Sequence, residues 1–401
     1  MPIPGVFRHR EYALLWLGQL VSNLGDAFQT LALAWLVKER SGSNLLIGTV
    51  LAAYLLPMVA LGPVAGVIAD QFNKRKLMIA ADLFRMALVV ILALLHDVGP
   101  LHAAVIVFLA LLMGAATALF DPARQGSIPY LVPEAELGQA NSFAMLTRQL
   151  SQLLGPVVAG VVIGRWGVGP AFWANAASFA VSAAFLSQMR FQSSIRVQRS
   201  LGGVWEDMKA GLQTITHHPL LRLILPSGML VNFLLGPVPV MLPSYAGQLS
   251  RRGAMALGYL QSTSAVGMLI GSLLVGLTVK RLGKGYMAIG GLVVAGLGIV
   301  ALSEATTLTA AGLALGLFGI CMVFVNVPLI TVIQSETPVE LQGRIFSVFM
   351  STTTAAQPLA MAVGGGLADM IGVRSIFLGV GILFILTSLG IASIRPLREV
   401  H

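Results

Sequence analysis

The sequence predicts an all-α membrane protein: twelve transmembrane helices arranged as two six-helix bundles. Three observations carry that expectation. Hydrophobic residues make up 56% of the 401-residue chain and charged residues only 10%, whereas soluble domains carry roughly 25% charged residues. The charges fall between apolar runs of about 20 residues, each long enough to cross a bilayer core of roughly 30 Å. A charged turn between two such runs, GVIADQFNKRK at Gly66–Lys76, has a weaker copy, GLTVKRLGK, at Gly276–Lys284. Charged turns at matching places in two halves of a membrane chain imply an internal repeat.

The spans read, in order, as 12–36, 44–69, 77–95, 102–120, 140–164, 169–189, 220–246, 257–279, 286–303, 308–332, 345–369 and 373–393. All must be helical, because an isolated span has to satisfy its own backbone hydrogen bonds in lipid. The first is too long for a secretory leader and lacks a small-residue cleavage site, so it is expected to remain as helix 1. Proline and glycine interrupt helix 2 (Pro57, Pro63), helix 5 (Gly155-Pro156), helix 7 (Gly236-Pro237, Pro239), helix 10 (Pro328) and helix 11 (Pro358). Such breaks mark bending points and often border a binding region.

Lysine and arginine set the orientation. Of the 25, Lys38, Arg40, Arg165, Arg251, Arg252 and Arg374 occupy the odd-to-even loops, and Arg85 and Arg148 lie within spans. The rest sit at the termini and in the even-to-odd loops, which places both termini in the cytoplasm. This bias accounts for the net charge of +9 without nucleic acid, for which charge would cluster on a soluble face. Cys321 is the single cysteine, and no Cys/His spacing forms a metal site, so neither a disulfide nor a metal is expected. The chain divides into an N-terminal bundle (1–189), a linker (190–219) and a C-terminal bundle (220–401). In the linker, Val204, Met208, Leu212 and Ile215 share one helical face. That pattern fits an interfacial helix on the cytoplasmic leaflet, or else a solvated connection.

The repeat extends beyond the charged turn. VPEAELGQANSF (Val132–Phe143) resembles TPVELQGRIFS (Thr337–Ser347), Gly155-Pro156 aligns with Gln357-Pro358, and Gly167-Val168 aligns with Gly372-Val373. Two bundles in the same order, related by an axis along the membrane normal, form a parallel repeat.

On these residues the chain resembles the major facilitator superfamily over residues 8–395. The turn Gly66–Arg75 resembles its loop 2–3 signature: Gly, three residues, Asp, a base, any residue, Gly and two bases. Gln71 stands where a base is usual and Asn73 where glycine is usual. Asn tolerates a left-handed backbone better than most residues, so the turn is expected to survive. Phe120–Ser142 is similar to the loop 4–5 pattern of the branch containing bacterial drug, macrolide and siderophore exporters. Gly155, Pro156 and Gly160 in helix 5 resemble the antiporter motif of exporting members, a helix-bend motif, with Ser151 in place of its leading glycine. The arginine that many proton antiporters carry in helix 4 is absent. The resemblance further implies a conformational latch of Gly66, Asp70, Lys74, Arg75, Asp121 and Arg344. In it Asp70 would sit at the N-terminus of helix 11, where the helix dipole favours a carboxylate.

A charge near the centre of a span costs about 2.5–3.5 kcal/mol on insertion scales. Asp26 is the acid that lies there. Gln19, Asn23, Asp26 and Thr30 follow i, i+4, i+7, i+11, one helical face, and that stripe should line a cavity. Asp26 is the candidate proton-coupling residue; the alternative is a structural partner for another buried polar group. Arg148, followed by Gln152, could pair with Asp26, bind a substrate group, or reach to the interface as a snorkelling side chain. Asp82 and Arg85 read as an i,i+3 pair beside the charged turn. Further cavity candidates are Met113, Asn232, Phe233, Gln261, Asn326 and Gln357, although most Met and Phe side chains serve helix packing. Few polar groups and many apolar ones suit a hydrophobic or amphipathic compound.

The expected function is secondary active transport: proton-coupled efflux of hydrophobic or amphipathic small molecules by alternating access. The alternatives are a carrier of lysophospholipid-type amphiphiles without proton coupling, or a non-transporting receptor on the same fold. No nucleophile–base pair, phosphate-cradling loop or ATPase signature is present, so an enzyme is not expected and no cofactor is implied. The expected partners are the lipid bilayer, a small-molecule substrate and protons, not nucleic acid, for a monomer in a bacterial inner membrane.

Overall fold

The computed structural model describes residues 5–99, 102–191, 201–278 and 283–398. The chain is helical: α1 (Arg10–Ser41), α2 (Asn44–Gln71), α3 (Lys74–Val98), α4 (Ala103–Gln125), α5 (Leu137–Trp166), α6 (Val168–Gln188), α7 (Leu201–His217), α8 (Leu221–Leu235), α9 (Pro237–Leu249), α10 (Gly253–Thr278), α11 (Lys284–Glu304), α12 (Leu308–Ser335), α13 (Val339–Thr354), α14 (Ala356–Ile371) and α15 (Val373–Ser393). Among the described residues, ten segments are long and apolar enough to cross a membrane. The other two expected spans have physical reasons for reading weakly. Asn175, Ser178 and Ser182 dilute the apolar character of α6. Span 11 is divided at Ala355 into α13 and α14, each only 16 residues long.

Breaks occur at only some of the expected places. Span 7 divides at Gly236 into α8 and α9. Helices α2, α5 and α12 run on through Pro57, Pro156 and Pro328.

Two compact units result, Met1–Leu36 with Ala53–Val204, and Val37–Ala52 with Trp205–His401. In the first, α3 packs on α4 and α6; in the second, α11 packs on α12 and α15. Those are the third, fourth and sixth spans of each half, so packing repeats as the sequence does. Tight glycine contacts repeat too. A Cβ at Gly114 of α4 would collide with the Tyr54 carbonyl of α2, and one at Gly267 of α10 with the Gly316 carbonyl of α12. The aligned pair Gly167 and Gly372 have φ of 83° and 87°, a left-handed backbone that glycine adopts freely. Each forms the one-residue turn between the fifth and sixth spans of its half.

The linker helix is docked on protein. Ile215 of α7 is buried with Val332, Ile333, Ile345, Val348 and Phe349, and Met208 packs against the same cluster. Leu212 and Trp205 remain exposed. An apolar face expected to lie on lipid is therefore partly covered by α12 and α13. Linker residues 192–200 lie outside the described residues, as do Lys280 and Arg281 of the copied turn.

Candidate functional site

Helix α1 carries its polar stripe into the first unit. Gly25 lets it approach α6 closely: a Cβ there would collide with Ser178 and Asn175. At that crossing the Asn175 amide donates to Gln29 Oε1 at 3.0 Å, and Gln29 Nε2 lies 3.1 Å from Met113 Sδ. Asp26 and Thr30 face a small cavity with Tyr54, Arg85, Met113 and Thr117. Thr30 Oγ1 donates to the Asp26 backbone carbonyl at 2.9 Å. The Asp26 carboxylate makes no hydrogen bond or ion pair with the described residues, so its nearest cationic company is the guanidinium lining the same cavity. That cavity holds about 10 Å³, whereas pockets for organic ligands run to about 300–1,000 Å³. The smaller volume is about the room a single water needs.

Arg85 and Asp82 are legible in the sequence as an i,i+3 pair, but not as a buried one. Asp82 is 0% exposed and Arg85 3%. They form an ion pair, and the guanidinium is sandwiched between Phe120 and Phe179, with ring centroids at 4.4 and 4.5 Å. Cation–π contact is strong for a desolvated guanidinium. Among the described residues Arg85 Nε has no hydrogen-bond partner, and the Ser182 hydroxyl lies beside Asp82, so the pair keeps donor capacity beside Asp26. The α6 side of this polar centre is the i, i+3, i+7 series Asn175, Ser178 and Ser182, all buried. That spacing is the signal available in the sequence.

Gln19 and Asn23 line a separate cavity of about 20 Å³ with Arg124, Thr147 and Arg148. Arg148 is exposed, as is Gln152. Arg85, not Arg148, shares a cavity with Asp26. In the second unit, Gln357 Nε2 donates to Asn232 Oδ1 at 2.9 Å, and Asn232 and Asn326 line one cavity. Phe233 and Gln261 are half-buried outside it.

At the charged turn, Lys74 Nζ reaches Asp70 at 3.1 Å and the Ala69 carbonyl at 3.1 Å. The Lys74 stem lies against Gly126 at the end of α4, where Asp121 pairs with Arg124 at 3.3 Å. Arg75 donates to the Leu186 carbonyl at 3.0 Å and to that of Ser187, closing the C-terminal end of α6. Asn73 does not take the left-handed backbone expected of it. Its φ is −64°, and its Oδ1 accepts from the Lys76 N–H at 3.1 Å. It replaces glycine as an N-cap, for which Asn is well suited. A Cβ at Gly66 would meet nothing. At the helix-bend motif a Cβ at Gly155 would collide with Ala27 of α1, so this motif provides close packing within an unbroken α5, and Pro156 and Gly160 are buried beside it. Arg344 lies on α13 in the second unit.

The sequence profile of the Major Facilitator Superfamily matches residues 15–361. The chain belongs to the major facilitator superfamily. It is 28% identical to an uncharacterised MFS-type transporter, YfiS, of Bacillus subtilis, over 96% of this chain and 93% of that protein. It is 23% identical to macrolide efflux protein A of Streptococcus pyogenes, over 97% of each. Among solved structures, the nucleoside transporter NupG superposes with a TM-score of 0.77 at 14% identity, over 94% of this chain and 97% of that one, which shows the shared fold. This superfamily member is therefore a multi-pass membrane transporter, and small molecules are its class of cargo.

Proposed function

We propose that this transporter exports hydrophobic or amphipathic small molecules, of drug, macrolide or siderophore-like character, in exchange for protons. The observation that carries the coupling is the Asp26 carboxylate, without an ion-pair partner among the described residues, in a small cavity beside the Asp82–Arg85 pair. Charged groups inside a membrane are costly and are candidates for proton relays. A cavity of about 10 Å³ fits the ion rather than the cargo. Protonation of Asp26 would remove its attraction to Arg85 and leave that guanidinium to Asp82 alone, a two-position arrangement able to bias two conformations. Efflux is supported by the macrolide exporter, which aligns across nearly the whole chain.

Cargo would contact the remaining polar residues of the stripe and the second unit, namely Gln19, Asn23, Arg148, Gln152, Asn232, Phe233, Gln261, Asn326 and Gln357. The groups around Asp70 would form the conformational latch that the family resemblance implies. The protein would act as a monomer in a bacterial inner membrane with both termini cytoplasmic, the orientation favoured by the lysine and arginine bias.

The test is Asp26→Asn in proteoliposomes with an imposed pH gradient. Coupled efflux is expected to fall to background, while counterflow of the same compound persists. Undiminished proton-driven efflux overturns the coupling role. Efflux that is indifferent to the gradient in the wild type favours the uncoupled amphiphile carrier.

A further inference from the structure

We propose that the second unit holds a binding slot for a single-chain amphiphile with an anionic head, anchored by Lys284. The slot lies between α8, α11 and α12 and encloses about 240 Å³, at least tenfold more than either cavity of the first unit. Along α8 it extends from Ile224 to Leu235, about 16 Å at 1.5 Å per residue. That elongated form suits one extended chain better than a compact ring system.

The lining separates into an apolar body and one charged end. Each of its neutral polar side chains makes at least one hydrogen bond within the unit. Ser227 donates to the Leu223 carbonyl at 2.9 Å, Asn326 to Met322 at 2.9 Å, and Asn232 to Gly228 at 3.0 Å while accepting from Gln357. Lys284 is the exception. It is the first residue of α11, it is half-buried in the slot wall, and no carboxylate among the described residues lies within ion-pair distance. Ile224, Val332, Ile391 and Leu397, which line the same slot, pack together in one apolar cluster. A half-buried lysine beside apolar side chains, with no carboxylate of the described residues in reach, offers a counter-charge to an anionic head. The chain behind the head would bury its methylenes along the apolar wall, each one adding to affinity. The slot takes in Asn232 and Asn326 and so rests on the reading that cargo meets the second unit, but it is built from that unit alone and stands or falls independently of proton coupling at Asp26.

The test uses the full-length protein in phosphatidylcholine nanodiscs, with radiolabelled dodecanoate as probe and empty discs as blank. Saturable binding of about one molecule per chain is expected. Lys284→Gln should weaken it at least tenfold at unchanged Tm, Lys284→Arg should retain it, and dodecyltrimethylammonium should not compete. Ala288→Leu and Leu292→Trp, which fill the slot from α11, should each abolish binding; two variants guard against one misfolding. Equal binding by Lys284→Gln, or equal competition by the cationic chain, overturns the proposal. Full displacement by phosphatidylglycerol in the disc would assign the slot to a two-chain bilayer lipid and also overturn it.

Discussion

Asp369 caps the start of α2 from another helix: its Oδ1 accepts the Asn44 N–H at 2.7 Å. Its other oxygen accepts the Leu45 N–H at 3.0 Å and the Ser43 hydroxyl at 2.7 Å, and the Asn44 amide adds a bond of 2.9 Å. The first N–H groups of a helix have no partner within it, and here α14 supplies the acceptor. Two glycines bring the backbones together: a Cβ at Gly365 would collide with the Asn44 carbonyl, and one at Gly48 with that of Met361. The clamp accounts for Val37–Ala52, the end of α1 and the start of α2 with the turn between them, belonging to the second unit.

Asp369→Ala should release that turn. Loss of a cap of this kind costs about 0.5–2 kcal/mol, so amide exchange over residues 43–48 should quicken by about two- to thirtyfold, read by hydrogen-exchange mass spectrometry. Asp369→Asn should fall between, since it keeps one acceptor and loses the charge. Unchanged exchange in Asp369→Ala would mean that the contact contributes nothing to holding the turn.

The buried pair of the first unit makes a sharper expectation. Removing Arg85 alone strands Asp82 at 0% exposure, and a broken buried pair costs about 3–5 kcal/mol. Arg85→Met should therefore express poorly and melt early. The double variant Asp82→Leu/Arg85→Met removes both charges and should regain most of the Tm without regaining proton-driven efflux. A double variant that transports normally would show the pair to be structural only.

The repeat is readable in the sequence because its signals are local. Gly167 and Gly372 are needed for a left-handed backbone, and a charged turn interrupts hydropathy wherever it occurs. The site is readable only in part. Asp26 stands out as a carboxylate in mid-span, yet the helix-end placement of Asp82 and Arg85 fits a surface pair as well as a buried one, and only the aromatic rings of Phe120 and Phe179, on other helices, decide between them. Asp369 is hidden for a related reason. A carboxylate at the end of a span reads as a solvated helix terminus, and its partner Asn44 is 325 residues away. Asn73 misleads because the family pattern suggests a backbone conformation, whereas its side chain makes a cap available instead.

The α1–α6 crossing supplies a control on packing. Gly25→Ala adds a methyl where Ser178 and Asn175 already stand, and overpacking costs about 1–3 kcal/mol. Its Tm should fall by several degrees. Gly62→Ala, on α2, meets nothing within 4 Å and should leave the Tm unchanged or slightly raised, because alanine favours the helix. If both variants melt alike, the close approach of α1 to α6 is not a constraint on stability.

The charged turn can be tested for the latch role that the family resemblance implies. Asp70 is half of an i,i+4 pair with Lys74, and its side chain is 45% exposed, so within the first unit its loss should cost little stability. A latch makes a different demand: the carboxylate should matter to the balance of states more than to folding. A carboxylate at a helix N-terminus contributes about 0.3–2 kcal/mol, which corresponds to about a two- to thirtyfold shift in the ratio of inward- to outward-facing forms. Asp70→Ala should therefore keep its Tm, favour the inward-facing form by that margin and transport more slowly, whereas Gln71→Arg, which restores the usual base, should not. State populations can be followed by the accessibility of single cysteines introduced near each mouth of the carrier in a Cys321→Ala background. An Asp70→Ala protein with wild-type transport and wild-type accessibility would leave the turn with topology as its only role.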